Sequence, residues 1–302
     1  MDLSVKLGSL VLKNPVMPAS GTFGWGEEME PYCDISKLGA VVPKSITVGP
    51  LEGNSPARTV ETACGMLNAI GLQNPGVDAF LRNNLPKLAG YGIPVIVSIS
   101  GFSISEYGQV AGLLEGKEGI FALEVNISCP NVEQGGIVFG MKPATVKQVV
   151  EEVKKNTSLP IIPKLSPSAA AIGEIARAAE DAGADALTVA NTIKGMAVDW
   201  RTKKPFLANI TGGLSGPAIK PHALYLVNEV SHAVSIPVIG CGGIMSADDV
   251  LEYIICGATA VQVGTANFAN PGICSRLPGE LEKLLAAEGV EKLSDLIGAF
   301  EG

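Results

Sequence analysis

Cys129 lies between two carboxamides in the run Asn-Ile-Ser-Cys-Pro-Asn at residues 126–131, directly after the apolar stretch Phe121 to Val125. A thiolate can serve as a base or a nucleophile. Carboxamides offer hydrogen-bond donors and acceptors without charge, which suits a flat heterocycle that carries N–H and C=O groups. The alternative is that Cys129 is simply a small buried hydrophobic side chain, which is the ordinary role of a cysteine. The polar neighbours favour Cys129 as a catalytic base, with Ser128 as the weaker candidate.

Other polar residues also follow short apolar runs. A lysine at the end of such a run is ordinarily a solvated charge, but Lys164 stands between Pro163 and Leu165, and this position favours an inward functional role. Glycine pairs in such places are most often turns; two of them after the last two runs favour a phosphate site, because glycine lets a ligand approach the backbone. The candidates are Ser20, Lys44, Ser45, Asn68, Asn126, Lys164, Asn191, Thr192, Gly242, Gly243, Gly264 and Thr265.

The elements that must position these residues alternate between apolar runs and amphipathic stretches. Eight runs match the strand number of a closed (β/α)8 barrel, in which the carboxyl ends of the strands form the active-site face. The runs are Pro15 to Ala19, Gly39 to Lys44, Pro94 to Ser98, Phe121 to Ile127, Pro160 to Leu165, Ala184 to Ala190, Pro237 to Gly240 and Ala260 to Gly264. The predicted fold is therefore α/β, a (β/α)8 TIM barrel whose candidate residues gather at one face.

Local signals support this alternation. Residues 3–12 alternate around Gly8 and predict an N-terminal β-hairpin that caps the barrel. Ser246 and Asp249 resemble a capping box at the start of a helix that Gly257 ends. A second helix with an apolar face at residues 172–179 ends at Gly183, just before a predicted strand.

We expect a single domain over residues 1–302, since no repeat or low-complexity linker marks a boundary. Three stretches are predicted to be irregular: Thr47 to Leu72, Asn131 to Met141, and Ile193 to Gly216. Loops of this length in a compact barrel are usually functional or mobile.

Composition excludes several classes of protein. The net charge of −8 and the lack of a Lys/Arg cluster argue against nucleic acid or anionic membranes as partners. No apolar run reaches the roughly 18 to 20 residues of a membrane span, and the start lacks signal-peptide features, so we expect a cytoplasmic protein. The six cysteines show no metal-binding spacing, so no metal site is expected. No Gly-x-Gly-x-x-Gly follows a strand and opens a helix, which argues against a Rossmann nucleotide site.

Six runs of the sequence form a specific pattern: MPASG at 17–21, GMLNAIGLQNPG at 65–76, NISCPN at 126–131, PKLSP at 163–167, LANITGGLSGPAIKP at 207–221 and VGTANF at 263–268. Together they resemble the catalytic subunits of class 1, subtype B dihydroorotate dehydrogenases over nearly the whole chain. The resemblance implies a (β/α)8 barrel that holds one FMN and oxidises (S)-dihydroorotate to orotate in de novo pyrimidine (UMP) biosynthesis.

The resemblance also implies roles for residues. Cys129 matches the catalytic base and would take a proton from C5 while FMN takes a hydride from C6; Lys164 would stabilise the reduced flavin, and Lys44 would pair with the substrate carboxylate. The flavin would contact Ser20, Lys44, Ser45, Asn126, Lys164, Ala190, Gly216, Gly242, Gly243, Gly264 and Thr265. The substrate would be surrounded by Lys44, Asn68, Ala69, Ile70, Gly71, Leu72, Asn126, Asn131, Asn191 and Thr192.

Subtype B implies a second subunit with FAD and a [2Fe-2S] cluster that passes electrons to NAD+, around a homodimer core of a heterotetramer. The membrane-associated class uses serine where this chain has Cys129, and the fumarate-reducing class lacks the run at Asn209 to Gly216. The chain departs from its subtype at Ser98, where relatives often have an asparagine beside the flavin. Whether Ser98 contacts FMN is therefore left open.

Two rival functions remain. The barrel of dihydropyrimidine dehydrogenase shares FMN and a similar cysteine loop but typically has histidine where this chain has Asn131. A non-catalytic flavin-binding subunit is the rival from another class. Reduction of uracil or thymine without activity on orotate would favour the first rival. A pure binding subunit should show no bleaching of its flavin by dihydroorotate.

Overall fold

A curled parallel sheet forms the centre of this computed structural model, which describes residues 1–128 and 137–301. The strands in chain order are β1 (Val5–Leu7), β2 (Leu10–Leu12), β3 (Val16–Pro18), β4 (Thr59–Thr62), β5 (Gly65–Asn68), β6 (Val95–Ile99), β7 (Ile120–Asn126), β8 (Ile161–Lys164), β9 (Leu187–Val189), β10 (Ile193–Met196), β11 (Val198–Asp199), β12 (Lys204–Pro205), β13 (Thr211–Ser215), β14 (Val238–Cys241) and β15 (Ala258–Val263). The curled sheet has the strand order β3-β15-β14-β9-β8-β7-β6, and all its pairs are parallel.

Helices cover the outside of this sheet and connect its strands. They are α1 (Val77–Ala79), α2 (Leu85–Gly90), α3 (Ile104–Leu114), α4 (Ile137–Gly140), α5 (Pro143–Asn156), α6 (Ile172–Asp181), α7 (Lys220–Ser231), α8 (Ala247–Ile255), α9 (Ala266–Ala269) and α10 (Ile273–Ala287). A π-helical segment, Phe80–Asn84, joins α1 to α2. This alternation confirms the predicted α/β, TIM-barrel-like fold. In the described part of the chain, no helix combines the length and the apolar character needed to cross a bilayer.

Seven of the eight predicted barrel strands are present, with ends shifted by a few residues. The prediction of a regular strand at Gly39 to Lys44 is wrong. Residues 39–46 instead form a strand-like segment with two isolated parallel bridges to β6, at Val41 and Ile46. The Gly39 N–H donates to the Val16 carbonyl of β3 at 2.9 Å. Pro43 lies between the two bridges and has no N–H to donate, so a continuous ladder cannot form. The segment still fills the gap between β6 and β3.

The predicted hairpin and helix ends are confirmed. β1 pairs with β2, and their leucines and Val5 are buried in the same hydrophobic cluster as the barrel strands. Gly8 packs against Asp185 just before β9, so the hairpin lies at the amino-terminal end of the barrel. Ser246 and Asp249 form a complete capping box on α8, and Gly183 follows α6 with φ 96°. Hairpin residues and barrel residues thus belong to one hydrophobic cluster. This supports the expectation of a single domain, which stays a prediction.

Two of the three stretches predicted as irregular contain an antiparallel sheet, and in this respect the prediction is wrong. Its strand order is β10-β13-β5-β4, and β11 pairs with β12 beside it. The four strands are short and partly exposed, and three of the paired positions in β5 and β13 are glycines, Gly65, Gly212 and Gly213. These features give a weak strand signal. In the third stretch, residues 131–136 lie outside the described residues and 137–140 form α4.

Glycine allows β5 to approach the end of β13 closely. A Cβ added to Gly65 would lie 1.9 Å from the Ser215 carbonyl oxygen, and one added to Gly216 would lie 2.5 Å from the Gly65 Cα. Any larger residue at these positions would force the two backbones apart. The antiparallel sheet therefore depends on these two residues having no side chain.

We expect Gly65→Ala to lower the free energy of unfolding by more than about 1 kcal/mol, because alanine at φ 149° is both strained and in collision with Ser215. Urea unfolding of the variant measures the change. Gly49→Ala is the matched control, since a Cβ there meets no atom within 4 Å, and it should change stability by no more than about 0.5 kcal/mol. Equal effects of the two substitutions would contradict the role assigned to Gly65.

Candidate active site

The antiparallel sheet borders a cavity of about 1140 Å³, mouth included, at the carboxyl ends of the barrel strands. The cavity is lined by residues at or just after the end of each barrel strand except β6, and by residues of the strand-like segment at 39–46. Its lining comprises Ala19, Ser20, Gly21, Thr22, Lys44, Ser45, Thr59, Met66, Asn68, Ile70, Gly71, Leu72, Glu124, Asn126, Lys164, Ala190, Asn191, Thr192, Ser215, Gly216, Ile219, Cys241, Gly242, Gly243, Gly264, Thr265 and Phe268. The fold thus brings together residues as distant in sequence as Ser20 and Thr265.

All eleven residues predicted to contact the cofactor line this cavity. Of those predicted to surround the substrate, Ala69 instead packs with Leu67 and Leu207 in a small separate cluster. Asn131 and the predicted base Cys129 lie outside the described residues. The other predicted substrate residues all line the cavity.

Two lysines supply positive charge in this lining. Lys44 lies in the strand-like segment at residues 39–46, and its side chain passes close to Gly21, where an added Cβ would lie 3.5 Å from the Lys44 Nζ. Lys164, at the end of β8, is only 5% exposed, and its Nζ donates to the Gln262 side-chain oxygen at 2.9 Å. Burial alone would lower the pKa of Lys164, but the Glu124 carboxylate raises it above its usual value. Lys164 is therefore a protonated, buried ammonium.

A carboxamide cluster lies at the ends of β7 and β9. The Asn191 amide donates to the Ser128 hydroxyl at 2.9 Å and to the Asn126 side-chain oxygen at 3.4 Å. The Asn191 backbone N–H donates to the Leu165 carbonyl, and the Tyr107 hydroxyl donates to the Asn126 carbonyl at 2.8 Å. These bonds hold the two amides in fixed positions, as recognition of a planar polar ring requires.

A chain of hydroxyl groups supports the adjoining part of the wall. Ser45 Oγ lies 3.1 Å from Ser20 Oγ and 2.8 Å from Ser98 Oγ, and the Asn126 amide donates to it at 3.4 Å. Ser98 is completely buried and stands behind Ser45. Ser98 therefore supports the lining residue Ser45 and does not itself line the cavity.

Glycines surround the part of the cavity beyond β14 and β15. Gly242 and Gly243 follow β14 with φ angles of 143° and 70°, a backbone geometry that favours glycine. Thr265 follows β15, and its hydroxyl donates to Ser215 Oγ of β13 at 2.6 Å, which ties the barrel to the antiparallel sheet. Backbone exposed after the seventh and eighth barrel strands is where such folds often hold phosphate.

Sequence reasoning missed several residues of the lining, chiefly Glu124 and Cys241. Glu124 lies inside β7 and is completely buried, although the run Phe121 to Val125 was interpreted only as an apolar strand. A carboxylate in the middle of such a run was the available signal, because buried acids need a partner. Burial raises the pKa of Cys241, so this thiol stays neutral.

Comparisons with known proteins agree with this architecture. The family model described as dihydroorotate dehydrogenase matches residues 2–285. A curated protein of Geobacter sp. (strain M21), named dihydroorotate dehydrogenase B (NAD(+)), catalytic subunit, is 53% identical over 300 residues, which cover 99% of this chain and 98% of that protein. A protein of the same name from Desulforudis audaxviator (strain MP104C) is 52% identical over 296 residues, covering 98% and 96% of the two chains. With its barrel and its polar cavity, this chain belongs to the dihydroorotate dehydrogenase family.

Proposed function

We propose that this chain binds one FMN and oxidises (S)-dihydroorotate to orotate in de novo pyrimidine biosynthesis. The observation that carries the proposal is a single cavity in which a buried ammonium, fixed carboxamides and exposed glycine backbone come together. The names of the relatives above, which cover nearly the same length, agree with this activity. The family is flavin-dependent, and the glycine backbone after β14 and β15 is where the phosphate of FMN would lie.

The residues present fit this cofactor and a small second ligand. Gly216, Gly242, Gly243, Gly264 and Thr265 would hold the phosphate, and Lys164 would face the polar edge of the ring. Ser20, Ser45, Asn126 and Ala190 would complete the flavin wall. When bound, FMN supplies the acceptor for the hydride from C6 of the substrate.

The substrate would lie against the carboxamides. Asn68, Asn126 and Asn191 present donors and acceptors to its ring N–H and C=O groups, and the Lys44 ammonium pairs with its carboxylate. Residues 70–72, Asn131 and Thr192 would surround the remaining edge. β5 and β13 of the antiparallel sheet border this space through Met66, Asn68 and Ser215. They would limit the entry of water, which would strengthen the charge interactions inside.

Cys129 is proposed as the base. Its Sγ, as thiolate, would accept the proton that leaves C5. A free thiol has a reference pKa of about 8.5, so only a small fraction is ionised at neutral pH unless the surroundings favour the thiolate. Lys164, at the end of β8, would stabilise the negative charge of the reduced flavin.

We further propose that electrons leave through a partner subunit with FAD and a [2Fe-2S] cluster and reach NAD+. A homodimer of this chain would form the core of the resulting heterotetramer. Support comes from the words "NAD(+)" and "catalytic subunit" in the names of the relatives.

Dihydroorotate should bleach the visible flavin spectrum of the purified full-length chain in anaerobic stopped flow. The carboxamides and Lys44 together select a ring that carries a carboxylate, so uracil and thymine should give no oxidation of the pre-reduced flavin. Orotate, the matched control, should reoxidise it. A flavin that dihydroorotate does not bleach and that none of the three pyrimidines reoxidises would favour a non-catalytic flavin-binding subunit. Reoxidation by uracil or thymine but not by orotate would favour the dihydropyrimidine rival.

Cys129→Ala should lower turnover by about 10² to 10⁴-fold, the usual contribution of a positioned base. Turnover of the parent enzyme should rise with pH through the titration of the thiol, because only the thiolate accepts the proton. Steady-state rates between pH 6 and 10 measure both effects. Cys256→Ala is the control, since Cys256 ends α8 just before β15 and thus lies at the opposite end of the barrel. A Cys129→Ala enzyme with parental rates across this range would remove the thiol from the mechanism.

The chain purified with its partner subunit should reduce NAD+ when dihydroorotate is supplied, and fumarate should not replace NAD+. Absorbance at the NADH band, with fumarate reduction assayed in parallel, measures the preference. Use of fumarate alone would assign the chain to another class of the family.

A further inference from the structure

Glu124 is a completely buried carboxylate that the proposed chemistry does not use. It lies in the middle of β7, and only one of its oxygens, Oε2, is hydrogen bonded: the Gln262 amide and the Thr188 hydroxyl both donate to it. Its other oxygen, Oε1, has no hydrogen bond and lies 3.8 Å from Lys164 Nζ. A barrel interior is ordinarily filled by branched apolar side chains, so a charge here calls for a specific explanation.

Gln262 connects both members of this ion pair across the barrel. Its amide nitrogen donates to Glu124, and its oxygen accepts from Lys164 at 2.9 Å. Gln262 is on β15, and β14, β9 and β8 separate that strand from β7 in the sheet. The bridge therefore spans the barrel interior and fixes the direction of both charged groups at once.

The ion pair determines whether Lys164, which lines the cavity at the end of β8, carries a proton. Among the described residues, the titratable groups that face Lys164 are Glu124 from β7 and Cys241 from β14. Burial raises the pKa of Cys241 and keeps it neutral, so Glu124 is the counter-ion. A buried ammonium without a counter-ion loses its proton readily, because desolvation penalises the charged form.

We propose that Glu124 is a positioning residue that keeps Lys164 protonated and aimed at the cavity, with Gln262 holding the pair in register, and that it thereby sets the reduction potential of the bound flavin. This inference rests on the proposed function, in which Lys164 faces the flavin. A positive charge near the flavin favours its reduction, and a paired carboxylate weakens that field while fixing the proton. Removing the carboxylate charge should therefore couple the potential to the protonation of Lys164.

The direct test follows the Lys164 side chain in the flavin-loaded, full-length protein. With isotope-labelled lysine and assignment through Lys164→Met, NMR between pH 5 and 10 should show Lys164 charged throughout in the parent. In Glu124→Gln its pKa should fall by roughly 2 pH units or more, as expected for a buried lysine without a partner. A fall of less than about 1 pH unit would overturn the proposal.

The second test measures the midpoint potential of the bound flavin over the same pH range. In Glu124→Gln the potential should lie above that of the parent while Lys164 is charged, and this difference should disappear as pH rises through the pKa that NMR gives. The double variant Glu124→Gln/Lys164→Met should lack this inflection. A variant curve that runs parallel to the parent curve would show that Glu124 only fills space.

Controls separate this inference from the proposed function. Glu118→Gln removes an exposed carboxylate two residues before β7 and should leave both the Lys164 titration and the potential unchanged. If Glu124→Gln fails to fold, recovery of folding in the double variant supports the inference, because both buried charges are then gone; no recovery contradicts it. A parent chain that binds no flavin would instead contradict the proposed function.

Discussion

Closure of the parallel sheet is the constraint on which the site depends. Parallel ladders from β3 round to β6, with residues 39–46 filling the gap between them, aim every strand in the same direction. Polar residues at successive carboxyl ends then meet around one cavity, although they are up to 245 positions apart in sequence, as the contact between Asn267 and Thr22 illustrates. The aliphatic interior makes this geometry rigid. A rigid barrel is what lets short side chains such as Ser45 and Asn126 act as fixed donors and acceptors.

A second constraint arises from placing charges inside this barrel. Taking Lys164 and Glu124 out of water is costly unless their polar atoms find partners, and Gln262 and Thr188 supply most of these. The arrangement contributes little to stability compared with an apolar layer of the same volume. Its value lies in a charge that cannot move or be screened by solvent, directly beneath the space where the reaction is proposed to occur.

The barrel was predictable from sequence because its strands are continuous apolar runs separated by clear helix signals such as Ser246 and Gly183. Most of the residues proposed to hold the cofactor could be placed in the cavity lining because they lie at the ends of such runs. Gly216 follows β13 instead, and only the family resemblance pointed to it. The prediction of a regular strand at Gly39 to Lys44 was wrong because Pro43 interrupts the ladder of hydrogen bonds, although this segment still runs parallel to β6. The antiparallel sheet was missed because its pairing is set by distant partners, such as Asn68 and Gly213, and not by local preference. Glu124 was missed since its partner Gln262 lies 138 positions away.

The antiparallel sheet also has a consequence for how the protein is made. β5 pairs with β13, whose residues are synthesised about 145 positions later. Closing so long a loop has an entropic cost that is recovered only once the intervening strands are in place. During translation the β4–β5 hairpin must therefore wait for its partner β13. A nascent chain has no finished chamber for its ligands until most of its length has left the ribosome.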